Sequence, residues 1–445
     1  YKNPSNRRIY LGMRTTATAM ALSLTLTGCG VDRALHVASS LTAHELCSQT
    51  FVAGRDTDAV FSEYVKPFIG VSVVADRLRY EVNEERRDVT ATVGRSFAAR
   101  AAYAQGRGCT VMNESTGAPL PIAVEPVTFA RADLPEAIDP ALAAAIDRAF
   151  TPDRKAIVVV HDGKIIGQRY APGYGPDTPM QSWSMAKSAT NALIGILVRD
   201  GKLSIDQPVP GLPNGITVNH LLRQTSGQPY GSSNSGFDLS SRMQFLESDT
   251  AAFAAAAKFE DKPGERWSYT DGNYAILSGI VRRTAGGTPD AVVRFARREL
   301  FGLTGMTGAL FEFDEAGTPM GASWMFATPH DWARFGLLYL NDGVANGRRI
   351  LPEGWVAYSA SPTPQAEWGY GAGFWTNRGT DPGSRRRQSW GMPADAFFAL
   401  GNSGQIVLVV PSARLVIVSL GFAVDPTNRP PVEAAARLTA AVNVW

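Results

Sequence analysis

Apolar and polar positions fall into stretches of different period. Between Cys29 and about Arg131 the pattern is uneven. Leu78 to Val82 and Val89 to Val93 are strand-like runs divided by the charged turn Asn83 to Asp88, and the stretch as a whole reads as mixed structure. From Leu134 the pattern tightens. Leu134 to Phe150 is alanine-rich with helical apolar spacing, and Ala156 to Tyr170 reads as a hairpin whose two-residue turn is Asp162-Gly163. Ser182 to Asp200 carries the apolar stripe Leu193, Ile194, Leu197 and Val198 and is stopped by Gly201. Lys202 to Gly343 is mainly helical with long loops. One helix there opens at Thr328, with Pro329 at its first position and Asp331 at its third, so His330 falls in a first turn. Strand patterns return at Ala396 to Leu400, Gln405 to Val410 and Arg414 to Leu420, the last two joined by Pro411-Ser412-Ala413, before a final helix from Pro431 to Val442.

Strands at both ends with helices between them predict an α+β domain. Its antiparallel sheet is assembled from distant segments, flanked by helices and interrupted by a helical insertion, with a small N-terminal α/β region ahead of it. A length of 445 residues accommodates one large body with an appendage. The expected divisions are 1–28 as upstream extension and leader, 29–130 as N-terminal region with a Pro-containing linker from Ala118 to Pro126, and 131–445 as the main domain. No acid, base or nucleophile constellation appears in the N-terminal region, and no repeat period is evident.

With 44% hydrophobic and 19% charged residues the chain can build a sizeable core and is neither disordered nor collagen-like. Its 43 basic and 41 acidic residues are spread along the chain, which leaves no footprint for nucleic acid. Five histidines without close pairing and three cysteines without a Cys-x-x-Cys argue against a protein-built metal site, and no cofactor is expected. Lys2, Arg7, Arg8 and Arg14 precede an apolar run from Thr15 to Thr27, shorter than the about 20 residues a bilayer span needs. It reads as an export signal starting at Met13. Leu26-Thr27-Gly28-Cys29 resembles a bacterial lipobox, so Cys29 is the expected lipidation site and the protein is expected to be periplasmic and lipid-anchored to a membrane. Cys47 and Cys109 then form the expected disulfide, closing a loop of about 60 residues and contributing roughly 4 kcal/mol in the chain-entropy model.

There is no Gly-x-Ser-x-Gly elbow, Walker loop, Gly-x-Gly-x-x-Gly or His-Glu-x-x-His. One motif stands out: Ser184-Met185-Ala186-Lys187 at the start of the apolar helix, the only lysine with a serine three residues before it. That spacing puts ammonium and hydroxyl on one helical face. A serine hydroxyl becomes a useful nucleophile when a base removes its proton, a task open to a lysine whose pKa is depressed in a dry cleft. The first helical turn also aims N–H groups at developing negative charge.

Together with Ile216 to Gly227 (ITVNHLLRQTSG) and Pro263 to Tyr274 (PGERWSYTDGNY), this motif resembles the serine β-lactamase and penicillin-binding-protein superfamily. The likeness is greatest to its class C β-lactamase branch, which also holds esterases, D-aminopeptidases and 6-aminohexanoate-dimer hydrolases, and it runs from about Leu134 to the C-terminus. The resemblance implies a β-lactamase/transpeptidase-like fold. Ser184 becomes the acylated nucleophile, Lys187 its activator and Tyr269 the general base and acid. Asp271 stands where the family has asparagine, so an acceptor toward Lys187 is kept and an amide donor lost. The family's last motif falls at Asn402-Ser403-Gly404 without its cation. This argues against tight recognition of a penicillin-like carboxylate, and the wording from Asp395 to Gln405 is closer to the 6-aminohexanoate-dimer hydrolase relatives. Gly404 is expected to let backbone approach the ligand, and the N–H groups of Ser184 and Gln405 to form the oxyanion hole.

Arg385, Arg386 and Arg387 replace the missing cation only if their loop reaches the cleft; a charge run is ordinarily a solvated face. Trp183, Tyr230, Trp267, Tyr370, Trp375 and Trp390 lie near the motifs and suit an aromatic-walled cleft for acyl chains or linear amides, with Trp183 and Trp390 placed among the substrate contacts. His161 and His220 receive no role. The expected activity is ester or amide hydrolysis through an acyl-enzyme on a small-molecule ester, amide or peptide. The alternatives are a class C-like β-lactamase or D,D-carboxypeptidase, and an inactive binding protein.

Overall fold

The computed structural model describes residues 17–123, 133–213, 215–229, 236–423, 425 and 427–442, with side chains from residue 30 onward. The start at Met13, the side chain of Cys29, Tyr230 and the boundary at 130/131 lie outside the described residues.

The N-terminal region packs one long helix, α1 (Ala17–Phe51), followed by short helical turns between Thr57 and Arg77 that carry Tyr64, on a four-stranded antiparallel meander: β1 (Leu78–Asn83), β2 (Asp88–Val93), β3 (Phe97–Ala104) and β4 (Gly108–Val111). Both strands expected here are present at β1 and β2, and β3, β4 and the length of the helix are additions. Val37, Leu41 and Cys47 on α1 are buried against Val89, Ala91, Ala101 and Cys109. A disulfide joins Cys47 to Cys109 with a Cα–Cα distance of 6.1 Å.

In the main domain, α2 (Pro140–Ala149) starts later than expected because Asp139 caps it and Pro140 takes the first position. The hairpin of β5 (Arg154–His161) and β6 (Lys164–Tyr170) turns at Asp162 and Gly163, with φ of 47° and 77°, the left-handed pair a two-residue turn needs. The short strand β7 (Met180–Gln181) leads into a single 3₁₀ turn at Trp183–Met185 and α3 (Ala186–Arg199). After the inserted helices, among them α4 (Asp271–Ala285), the strands β8 (Leu310–Phe311) and β9 (Met325–Ala327) complete a small sheet in the order β7-β9-β8. Helix α5 (Pro329–Leu340) opens with the expected capping box between Thr328 and Asp331. The C-terminal part supplies β10 (Trp375–Thr376), α6 (Pro382–Ser389), β11 (Phe397–Gly401), β12 (Gln405–Val410), β13 (Leu415–Gly421) and α7 (Arg429–Val442).

The main sheet runs β10-β11-β12-β13-β5-β6, antiparallel throughout, so the expected union of distant segments is made where β13 pairs with β5. Every residue of β12 and β13 is buried. Their alternate side chains divide between two cores. Val407, Val409, Val416 and Val418 face the side of α3, α5 and the N-terminal region, whereas Ile406, Leu408, Leu415 and Ile417 face Leu142, Ile146, Val432 and Leu438 of α2 and α7. The first core is continuous from α1 through the helical insertion to the sheet. Arg385, Arg386 and Arg387 lie on a helix rather than in a loop, because Asp381 caps α6 and Pro382 begins it. No helix among the described residues is long and apolar enough to cross a membrane.

Candidate active site

Ser184 sits in the 3₁₀ turn that opens α3, half-buried among fully buried neighbours. Lys187, one turn later, is 1% exposed, and its three ammonium hydrogens meet three acceptors: Ser184 Oγ at 3.0 Å, Asp271 Oδ1 at 2.5 Å and the carbonyl of Ala322 at 2.8 Å. Asp271 is the first residue of α4, which Thr270 caps, and its other oxygen accepts from Gln244 Nε2 at 2.9 Å. The Lys187 ammonium also lies 4.9 Å from the ring centroid of Tyr269, whose phenol it and Ser184 both influence.

These contacts set the charges. Burial opposes the Lys187 ammonium, but Asp271 and Tyr269 outweigh it and hold the lysine above its ordinary pKa. The depressed, base-like lysine expected from the sequence is therefore replaced by a fixed cation that donates to Ser184. Burial raises the pKa of the Tyr269 phenol, the Lys187 cation draws it down, and the Asp271 carboxylate adds to the rise; the net is upward. The resting phenol is thus neutral, beside the Lys187 cation, which can stabilise its phenolate.

The aromatic expectations divide. Trp267, Tyr269, Tyr370 and Trp375 form one cluster, with Tyr269 stacked on Trp375 at 5.6 Å and Tyr370 edge-on to it at 5.3 Å. Trp183 belongs elsewhere: its backbone adopts φ 47°, and its buried ring turns toward the N-terminal region, bonding Tyr64 and stacking on Phe68. Trp390 packs with the core of α2 and α7, under the guanidinium of Arg429. Neither tryptophan is a substrate contact in this arrangement.

The turn after β11 also departs from expectation. Gly404 adopts φ 77°, its open side faces Pro431 and the guanidinium of Arg154, and its N–H donates to Asn428 Oδ1 at 2.9 Å. The glycine that meets the nucleophile segment is Gly401, where a Cβ would fall 2.1 Å from the carbonyl oxygen of Ser182. Asn402 follows it, partly exposed, while Ser403 is buried and accepts through its carbonyl from Arg154 Nη2 at 3.1 Å. The Gln405 side chain bridges to both backbone groups of Gly421. Arg387 is engaged by the carbonyls of Trp368 and Thr376 and does not replace the missing cation. Ala322, Gln244, Gly401 and Tyr64 were not foreseen; of these only Gly401 carried a local signal, a glycine at the end of a strand.

The family model for Beta-lactamase matches residues 146–441. The chain belongs to the Beta-lactamase family. Within it, the 6-aminohexanoate-dimer hydrolase of Paenarthrobacter ureafaciens is 25% identical over 301 residues, covering 62% of this chain and 74% of the relative. A solved Bacillus anthracis structure, whose description as a 6-aminohexanoate-dimer hydrolase is itself provisional, aligns with a TM-score of 0.58 at 23% identity over 70% of this chain and 88% of that one. EstCE1, described as a hydrolase with promiscuous acyltransferase activity, aligns with a TM-score of 0.53 at 15% identity over 67% and 98%. The family match thus begins within α2 and covers most of the main domain, and the N-terminal region precedes it.

Proposed function

We propose that the protein is a serine hydrolase that cleaves a neutral ester or amide through an acyl-enzyme on Ser184. The observation that carries this reading is the 3.0 Å bond from Lys187 to Ser184, with the Tyr269 ring 4.9 Å from the same ammonium. Tyr269 first gives its own proton to solvent and is held as a phenolate by the Lys187 cation; the phenolate takes the Ser184 proton as the hydroxyl attacks, and the phenol so formed gives that proton to the leaving group, which restores the phenolate beside Lys187. Water then releases the acyl group. The N–H of Ser184 and one from the Gly401–Asn402 end of β11 hold the oxyanion, in place of Gln405. The half-buried aromatic cluster favours an apolar acyl or leaving group, and the engagement of Arg387 and Arg154 by backbone carbonyls disfavours a penicillin-like acid. The named activities of the relatives, amide hydrolysis and acyl transfer, lie in the same direction. Export and a lipid anchor on Cys29 belong to the same reading, supported by the Cys47–Cys109 disulfide.

A fluorophosphonate and a fluorescent penicillin test it. Labelling of Ser184 by the first alone is expected. A penicillin adduct at Ser184 would move the assignment to β-lactamase or D,D-carboxypeptidase, and no adduct from either probe on folded protein would leave a binding protein.

Asp271→Asn gives a pH signature. Without the carboxylate, burial dominates at Lys187 and its pKa falls. Activity depends on the cation and is present below that pKa, so the alkaline limb of kcat/KM is expected to move to lower pH. A limb that stays in place would show that Lys187 does not act as the cation.

A further inference from the structure

The N-terminal region, which lies outside the matched family segment, touches the reacting centre. We propose that Tyr64 is a positioning residue for the nucleophile turn and the oxyanion turn, which makes the N-terminal region part of the catalytic unit; this rests on the hydrolase reading of Ser184.

Trp183 and Ser403 are both non-glycine residues in the left-handed region, with φ of 47° and 58°. Such backbone persists only where surroundings hold it, and it concentrates at functional sites. Trp183 immediately precedes Ser184, and Ser403 lies two residues after Gly401, beside the Ser182 carbonyl. Tyr64 joins them: its hydroxyl accepts from Trp183 Nε1 at 2.5 Å, and its ring packs on Phe422, next to Ala423, whose N–H donates to the Ser403 carbonyl at 2.9 Å. Tyr64 is itself fixed by stacking on Phe422 at 4.4 Å, and Phe68 stacks on the Trp183 indole at 5.5 Å.

Two further contacts from α1 reach the same segments. Glu45 accepts from Gln181 Nε2 at 3.0 Å, two residues before Trp183. His44 stacks on Trp324 at 3.6 Å and bonds Glu312 at 2.9 Å, two residues beyond the Ala322 carbonyl that holds Lys187. Burial opposes the His44 charge, but Glu312 and Glu45 push its pKa up to about 9, so the imidazole stays charged at neutral pH. Cys109 N–H also donates to Glu312 at 2.8 Å, so the disulfide secures α1 where these contacts leave it. The N-terminal region therefore grips the nucleophile turn, the lysine's carbonyl and the oxyanion turn from one side.

Tyr64→Phe removes the hydroxyl and keeps the ring stacking. Its test compares thermal unfolding, the fluorophosphonate labelling rate of Ser184, and kcat and KM on a p-nitrophenyl ester. Labelling rate and kcat are expected to fall about ten- to a hundredfold. KM should stay within about twofold, a split that general destabilisation would not produce. Trp183→Phe removes the other partner and should give the same loss. The double variant should be no slower than the slower single, since both delete one bond. Wild-type rates in either folded single variant, or losses that multiply in the double, would overturn the proposal. If Tyr64→Phe does not fold, Trp183→Phe decides by the same comparison. Absence of labelling at Ser184 in the wild type would instead sink the hydrolase reading.

Discussion

Lys187→Met is expected to lower kcat/KM by about a thousandfold or more and to destabilise the fold. The side chain is buried with all three hydrogens committed, one of them to Ser184. Its removal takes away the cation that holds the Tyr269 phenolate, and electrostatic groups of this kind are worth about 10²–10³ in rate before the proton relay is counted. It also leaves Asp271 as a buried carboxylate without its cation, and breaking such a pair from one side costs about 3–5 kcal/mol. Stability loss and activity loss are separable. In Lys187→Met/Asp271→Asn no charge is left unpaired, and the amide can still accept from Gln244 where Asp271 does now. The double variant should recover most of the unfolding temperature and none of the turnover, measured on the same ester. Recovery of both would mean that Lys187 serves the fold alone.

The main domain was legible because its signals are local. Asp162-Gly163 specifies its hairpin, Thr328 with Asp331 specifies its cap, and Ser184 to Lys187 is one helical turn whose partners need no further information to meet. Asp381-Pro382 held the same kind of signal for α6, the helix that carries Arg385 to Arg387, although a run of like charge obscures it. Helix α1 was missed because it is buried all round from Val37 to Gln49, with Thr42, His44, Glu45 and Ser48 inside beside Val37, Leu41 and Leu46, so its apolar positions follow no helical period.

The site's errors have a different origin. Proximity in sequence placed Trp183 in the cleft, yet one left-handed backbone angle turns its ring to the opposite side. Gly404 looked like a place for ligand backbone, but its conformation and the nearness of Arg154 and Pro431 already require a glycine. Tyr64, Glu45 and Gln181 meet only through pairings across more than a hundred residues, which no local pattern encodes. The charge of Lys187 is the same kind of fact: a serine-lysine spacing does not say whether the lysine accepts or donates, and the buried carboxylate of Asp271 decides it.

Tyr269→Phe is expected to leave folding unchanged and to lower turnover by about a hundredfold or more. The ring contacts with Trp375, Tyr370 and Trp267 do not involve the hydroxyl, so the aromatic cluster survives. Lys187 and Ser184 act on the hydroxyl instead, drawing its pKa down against burial, and the net upward shift makes it a proton carrier that ionises only while Lys187 offsets the charge. Such a carrier has two tasks, deprotonating Ser184 and protonating the leaving group, and only the second depends on the leaving group. An alkyl ester or a linear amide expels a strong base and needs that proton, whereas p-nitrophenolate departs as a stable anion. The loss in kcat should therefore be markedly larger for alkyl esters and amides than for p-nitrophenyl esters of the same acyl group. An equal loss on both substrates would confine Tyr269 to activating Ser184, and near-normal turnover on both would remove it from the mechanism.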